Sequence, residues 1–107
     1  MIVKFEKEYL SELYYEGRCH DKKHRYQPDI IKRYKQRIDT LNAASCIETL
    51  YQFHSLEYEV LSGDKAGISS IRVNNKYRIE FSVSYEETGK TLLTICNIIE
   101  LSNHYKR

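Results

Sequence analysis

The sequence predicts an α+β domain in which two or three N-terminal helices pack on one face of a C-terminal antiparallel β-meander. Apolar residues recur every three to four positions up to about residue 50, as in helices, and at every second position after about residue 57, as in strands. Helices followed by strands are typical of a sheet that helices cover on one side. The 107 residues fit one domain, spanning 1–107.

The first and third helices are predicted from apolar spacing and from residues typical of helix ends. Residues 6–15 carry apolar side chains at helical spacing, and Gly17 is suited to end that helix in a left-handed conformation. Ser45 and Glu48 have the spacing of a capping box. The sequence therefore predicts a short third helix that continues through Tyr51.

A second helix is predicted from Pro28, because the fixed φ of proline suits the first turn of a helix. Its apolar stripe consists of Ile30, Ile31, Tyr34, Ile38 and Leu41. Residues 18–37 contain eight lysines and arginines against two aspartates, although the net charge of the whole chain is only +2. This basic segment is either a solvated helix face or a surface for a polyanion or an acidic partner.

The strands are predicted from alternating polar and apolar residues. The sequence IVKF near the N-terminus is a candidate first strand, and EETGK marks the turn before the last strand. The other predicted strands lie near residues 57–60, 70–73, 77–84 and 91–99.

Two arginines, Arg72 and Arg78, lie on adjacent predicted strands. A three-residue loop, Asn74 to Lys76, keeps the apolar residues of both strands on one face and sets the two arginines opposite each other on the other face, away from the helices. Opposed like charges are unfavourable, and two guanidinium groups together bind phosphate well. Two solvated arginines paired with Glu80 or Glu59 are the alternative.

Several classes of protein are disfavoured by composition. The three cysteines, Cys19, Cys46 and Cys96, are odd in number and widely spaced, which argues against a disulfide framework or a CxxC metal site. His20 and His24 lie in a lysine-rich loop without the further ligands that zinc requires, so no metal or other cofactor is expected. No apolar run is long enough for a membrane span, and Lys4 interrupts any signal peptide. We therefore expect a cytoplasmic protein.

The segment LSGDKAGISSIRVNNKYRIEF, residues 61–81, resembles the central motif of the RelE superfamily of bacterial toxins. It is most similar to the HigB, or plasmid maintenance killer, branch. The matching positions are Leu61, Gly63, Asp64, Gly67, Ser70, Ile71, Arg72, Val73, Asn74, Tyr77, Arg78, Ile79 and Phe81. The order of helices and strands also matches the family fold.

This resemblance implies the toxin of a type II toxin–antitoxin pair. Toxins of the HigB type enter the ribosomal A site and cut mRNA by attack of a ribose 2′-OH on the adjacent phosphate, which needs no metal. The implied partners are the ribosome, mRNA and a cognate antitoxin, expected to be a HigA-like helix-turn-helix protein. Operator DNA would be bound only through that antitoxin, and no membrane is involved.

The resemblance also implies roles for individual residues. Arg72 and Arg78 would bind the phosphate, and His104 would act as an acid or base near the leaving oxygen. The family often has a histidine and a lysine at the positions of Glu59 and Ser62, so Glu59 would replace the histidine as a base. The residues expected to contact RNA are Lys65, Lys76, Tyr105 and Lys106.

Two other functions remain compatible with the sequence. One is a non-enzymatic toxin of the ParE kind that poisons DNA gyrase, which the altered family positions favour and His104 disfavours. The other is an inactive regulatory module that binds antitoxin or DNA through the basic helix.

Overall fold

The computed structural model describes residues 1–103 and has the predicted α+β architecture. The sheet has the strand order β1-β5-β4-β3-β2. Three short 3₁₀ turns lie at Lys22–His24, His54–Leu56 and Gly63–Lys65. The helices and strands are β1 (Ile2–Phe5), α1 (Glu8–Glu16), α2 (Pro28–Ala43), α3 (Ile47–Leu50), β2 (Glu59–Val60), β3 (Ser69–Arg72), β4 (Tyr77–Thr88) and β5 (Thr91–Asn103).

The hydrophobic core lies between the helices and one face of the sheet. Tyr34 of α2 is fully buried, and its hydroxyl donates a hydrogen bond of 2.7 Å to the carbonyl of Leu10 in α1. A buried phenol needs such a partner, so this bond fixes the two helices relative to each other. None of the described helices has the length and hydrophobicity needed to cross a bilayer. The other buried core residues include Leu10, Leu13, Ile38, Leu41, Ile71, Ile79, Phe81, Cys96 and Ile98.

The ends of α1 and α2 follow the predicted signals, but the start of α3 does not. Gly17 has φ of 73° and ends α1, and Pro28 is the first residue of α2. The predicted capping box is wrong, because the residue that precedes α3 is Cys46 and its side chain caps no backbone N–H group. The Ser45 hydroxyl instead lies 3.4 Å from that of Thr49.

The C-terminal strands β2–β5 form the predicted antiparallel meander, and β1 joins its edge in parallel, so the sheet as a whole is mixed. β1 pairs in parallel with β5, from Ile2 opposite Ile95 to Phe5 opposite Ile98. Val3 and Phe5 pack against the core. Burial of these side chains, together with a row of backbone hydrogen bonds, accounts for the position of β1 at this edge.

β4 and β5 extend beyond the rest of the sheet as a two-stranded arm. β3 pairs with β4 only as far as Phe81, whereas the β4–β5 pairing continues to Thr88 opposite Thr91. The turn is therefore shorter than the predicted EETGK segment, and Gly89 in it has φ of 60°. β5 also runs to Asn103, four residues beyond the predicted end at Ile99.

Candidate functional site

The β3–β4 hairpin has the predicted register. Ile71 lies opposite Ile79, and Arg72 lies opposite Arg78. The Asn74 side chain closes the three-residue loop, because its Oδ1 accepts hydrogen bonds from the backbone N–H groups of Lys76 (2.9 Å) and Tyr77 (2.8 Å). Asparagine is common in such turns for this reason. The loop therefore sets the two arginines side by side.

Arg72 is the more accessible of the two arginines, with 28% of its side chain exposed. Its Nε lies 3.1 Å from a carboxylate oxygen of Glu57, and its NH2 group donates to the Asn75 side chain. A guanidinium has five N–H donors, so three remain for a ligand. On the backbone side, the Arg72 carbonyl accepts a 2.9 Å bond from Arg37 of α2.

Arg78 is buried, with 2% of its surface exposed, and this corrects the expectation of two arginines on an open face. Its Nε donates to the Ser70 hydroxyl at 2.5 Å, and its NH2 group donates to the carbonyls of Ser70 (3.3 Å) and Glu57. The 3₁₀ turn that ends at Glu57 thus packs over this face of the sheet. The predicted role of Arg78 as a solvent-facing phosphate ligand does not fit these contacts.

Glu80 is also buried, and its partner is Lys65 rather than an arginine. The Lys65 ammonium lies 3.0 Å from both carboxylate oxygens of Glu80. Lys65 is 48% exposed and belongs to the 3₁₀ turn after β2. The alternative in which the arginines pair with Glu80 is therefore wrong for the described residues. Lys65, expected to contact RNA, has its charge directed at a buried carboxylate.

Glu59 and Lys76 are exposed, as expected for residues that meet a ligand. Glu59 lies on the edge strand β2 opposite Ser70, on the same face of the sheet as Arg72. Lys76 lies in the β3–β4 loop and lines a shallow groove of about 520 Å³ with Arg33 and Arg72. The groove lies between this loop and the start of α2, and its other lining residues are Gln27, Asp29, Ile30, Asn74 and Asn75.

The three candidates at the C-terminus, His104, Tyr105 and Lys106, lie outside the described residues. The last described residue, Asn103, pairs with Tyr77 at the end of β4 next to the loop that carries Lys76.

The histidines of the basic loop make contacts of their own. The ring of His24 stacks on Tyr9 with centroids 3.7 Å apart, and its Nδ1 lies 2.7 Å from Asp21. The Lys23 backbone N–H group and the His24 side chain hold the pKa of Asp21 below its ordinary value. Within residues 1–103, no group of three or more His, Cys, Asp or Glu side chains is arranged to hold a metal ion.

Glu57 is the site residue that the sequence reasoning missed. The register sets Glu59 opposite Ser70 in an antiparallel pair, so extending it by two residues brings Glu57 level with Arg72. The sequence already contained this alternation, but the pairing partner of β2 was unknown. Asn75, the other ligand of Arg72, was passed over as an ordinary turn residue.

Comparison with known proteins bears on the fold and the family. No curated protein matches the sequence. Among solved structures, a YoeB/ParE toxin from Agrobacterium tumefaciens is similar over 98% of this chain and 100% of that chain, with a TM-score of 0.54 and 18% identity. That level of identity establishes a shared fold only. The model of the HigB-like toxin family, described as RelE-like toxin of type II toxin-antitoxin system HigB, matches residues 3–94. Since this match spans most of the chain, the protein belongs to the HigB-like family of type II toxins.

Proposed function

We propose that this toxin is a ribosome-dependent mRNA endoribonuclease that acts in the cytoplasm. The observation that carries the proposal is the partly exposed guanidinium of Arg72, which has three uncommitted donors; Arg72, Lys76 and Arg33 are also among the residues that line the groove beside the β3–β4 loop. A site of this kind suits the phosphate backbone of RNA. Family membership implies a cognate antitoxin, and we further propose that it is a HigA-like helix-turn-helix protein.

In the proposed reaction, the ribose 2′-oxygen attacks the neighbouring phosphorus and the 5′-oxygen leaves. Arg72 stabilises the negative charge that develops on the phosphate oxygens. Glu59, on the same face of the sheet, is the proposed acceptor of the 2′-hydroxyl proton, and His104 is the proposed donor to the leaving oxygen. Lys76 binds the RNA backbone, and Tyr105 and Lys106 are proposed to contact RNA. Arg78 supports the site from beneath rather than touching the phosphate.

The test is primer extension on an mRNA translated in a reconstituted system, comparing wild type with Arg72→Ala and Lys90→Ala. Wild type should produce discrete A-site cuts that require ribosomes. Arg72→Ala should reduce the cleavage rate by roughly 10²–10³-fold, in line with the loss of one charge-stabilising donor. Lys90, an exposed cation in the turn of the arm, is the control, and its replacement should leave cleavage intact.

Three outcomes would contradict the proposal. Full cleavage by Arg72→Ala would show that Arg72 does not contribute to catalysis. Intact mRNA with wild-type toxin that still arrests growth would favour a ParE-like action on DNA gyrase, detectable as DNA breaks. A wild-type protein that neither cuts mRNA nor arrests growth would leave the regulatory module as the remaining candidate.

A further inference from the structure

Two side chains contact the Arg72 guanidinium, and Glu57 is the charged one of the two. The Glu57 carboxylate lies 3.1 Å from Arg72 Nε, and 55% of the Glu57 side chain is exposed. Asn75, the other side-chain partner, lies in the adjacent loop. An arginine side chain loses several freely rotating bonds when it is held in one place. A carboxylate that already holds the Arg72 side chain therefore reduces the conformational freedom that is lost when the guanidinium binds a phosphate.

Glu57 has an unusual backbone conformation. With φ of 44° and ψ of 51°, it is the one non-glycine residue at positive φ among the described residues. Such a conformation is unfavourable for a residue with a side chain, and it persists only where neighbouring contacts enforce it. Here its N–H group donates to the His54 carbonyl at 3.1 Å, and its carbonyl accepts from buried Arg78.

Glu57 thus contacts both of the opposed arginines, one through its backbone carbonyl and the other through its side chain. Its backbone is held by Arg78 from inside the protein, and its side chain holds Arg72 at the surface. Leu56, the residue before it, is buried in the core and anchors the same turn. Glu59 contacts neither arginine among the described side-chain hydrogen bonds and ion pairs, although it points to the same face.

We propose that Glu57 is a positioning residue of the ribonuclease site, which orients Arg72 for the scissile phosphate while Arg78 holds Glu57 in place. This inference rests on the proposed function. The ion pair between Glu57 and Arg72 brings a side-chain oxygen of residue 57 to 3.1 Å from Arg72 Nε and does not require that residue to exchange a proton. Glutamine retains an acceptor oxygen of the same reach, whereas alanine has none.

The activity test compares Glu57→Gln, Glu57→Ala and the control Glu87→Ala, an exposed glutamate on the arm. Single-turnover cleavage is measured at saturating toxin in the reconstituted system. Glu57→Ala should lower the cleavage rate on the order of 10–100-fold through misplacement of Arg72. Glu57→Gln should remain within about threefold of wild type, since its amide oxygen can take the place of the carboxylate oxygen beside Arg72 Nε. Thermal melts should show that all variants are folded.

A second measurement does not depend on cleavage. In NMR spectra of protein labelled with ¹⁵N at arginine Nε, the heteronuclear NOE of the Arg72 Nε–H group should show a restricted side chain in wild type and Glu57→Gln, and a more mobile one in Glu57→Ala. A short RNA with a 2′-O-methyl group at the cleavage position should bind more weakly to Glu57→Ala than to the other two proteins.

The outcomes separate this inference from the proposed function. Unchanged cleavage by Glu57→Ala, or a Glu57→Gln variant as impaired as Glu57→Ala, would overturn the positioning role; the latter would indicate that the negative charge itself is needed. If wild type cuts no mRNA, the proposed function fails and the NMR measurement decides alone. Unchanged motion of the Arg72 side chain and unchanged RNA affinity in Glu57→Ala would then overturn the inference, and the expected changes would support it.

Discussion

Arg78 and Arg72 occupy opposed positions of a hairpin yet have different environments. Arg78 lies in the protein interior, where its N–H groups bond a hydroxyl and two carbonyls, and Arg72 lies at the surface against a carboxylate. Opposed like charges are unfavourable when they share one environment. The difference in burial, together with the negative charge of Glu57, reduces the repulsion between the two arginines in the folded protein.

Replacement of Arg78 by methionine should destabilise the fold by about 2–4 kcal/mol, because the Ser70 hydroxyl and the Glu57 carbonyl would lose their buried partner. Urea denaturation should show a lower midpoint with an unchanged slope. Arg25→Ala, at an exposed loop position, is the control and should change stability by less than about 0.5 kcal/mol. A methionine variant as stable as wild type would show that these buried bonds contribute little.

The sequence predicted that these two arginines lie opposite each other, but it did not predict how deeply each one is buried. The register follows from the alternation of Ile71, Val73, Tyr77 and Ile79, which must share the buried face. The depth of Arg78 depends on the 3₁₀ turn before Glu57, whose positive φ at a glutamate has no signal in the sequence. The contact between Glu57 and Arg72 was missed because the pairing partner of β2 was unknown.

Among the elements, β2 is short, but two buried polar side chains of β4 hold the segments on either side of it. Arg78 bonds the turn before β2 at Glu57, and Glu80 bonds the turn after it at Lys65. A two-residue edge strand has few hydrogen bonds of its own, so these side chains determine where it lies. The position of Glu59 depends on both contacts.

Lys65→Met should destabilise the protein by about 1–3 kcal/mol, because it leaves the buried Glu80 carboxylate without its partner. Adding Glu80→Gln should recover part of this loss, since a neutral amide costs less to bury than an unpaired charge. Chemical denaturation of the two single variants and the double variant forms the required cycle. Strictly additive effects would show that the two groups do not interact in solution.

Helix ends were predicted where one residue decides them and missed where several compete. Gly17 ends α1 because glycine adopts positive φ readily, and Pro28 starts α2 because its ring fixes φ. At α3 the Ser45 hydroxyl has an alternative partner in Thr49, so spacing alone was a poor guide. The parallel pairing of β1 was also missed, because its partner lies more than 90 residues away along the chain.

At the scale of the whole molecule, the core contains groups that resist ionisation. Burial raises the pKa of the Cys96 thiol to about 11 from an ordinary value near 9. Burial also raises the pKa of the Tyr26 and Tyr34 hydroxyls. Each of these groups ionises more easily in the unfolded chain than in the folded protein, so alkaline conditions favour unfolding.

The free energy of unfolding should therefore decrease as pH rises from about 9 to about 11. The raised pKa of Cys96 accounts for about 2–3 kcal/mol of that decrease, because each pKa unit corresponds to about 1.4 kcal/mol. Urea titrations at a series of pH values will measure it for wild type and Cys96→Ala. The variant should be less stable at pH 7, where it lacks the buried side chain, but should lose less stability over this interval. Parallel curves for the two proteins would contradict the assignment to Cys96.

The pairing of β1 with β5 has a consequence for the order of events during synthesis. The ribosome makes Ile2–Phe5 well before it makes Ile95–Ile98, the partner segment in β5. Contacts between distant parts of a chain form only after the intervening segment has closed. During translation β1 therefore stays without its partner strand until β5 has left the exit tunnel, and the sheet is completed only then.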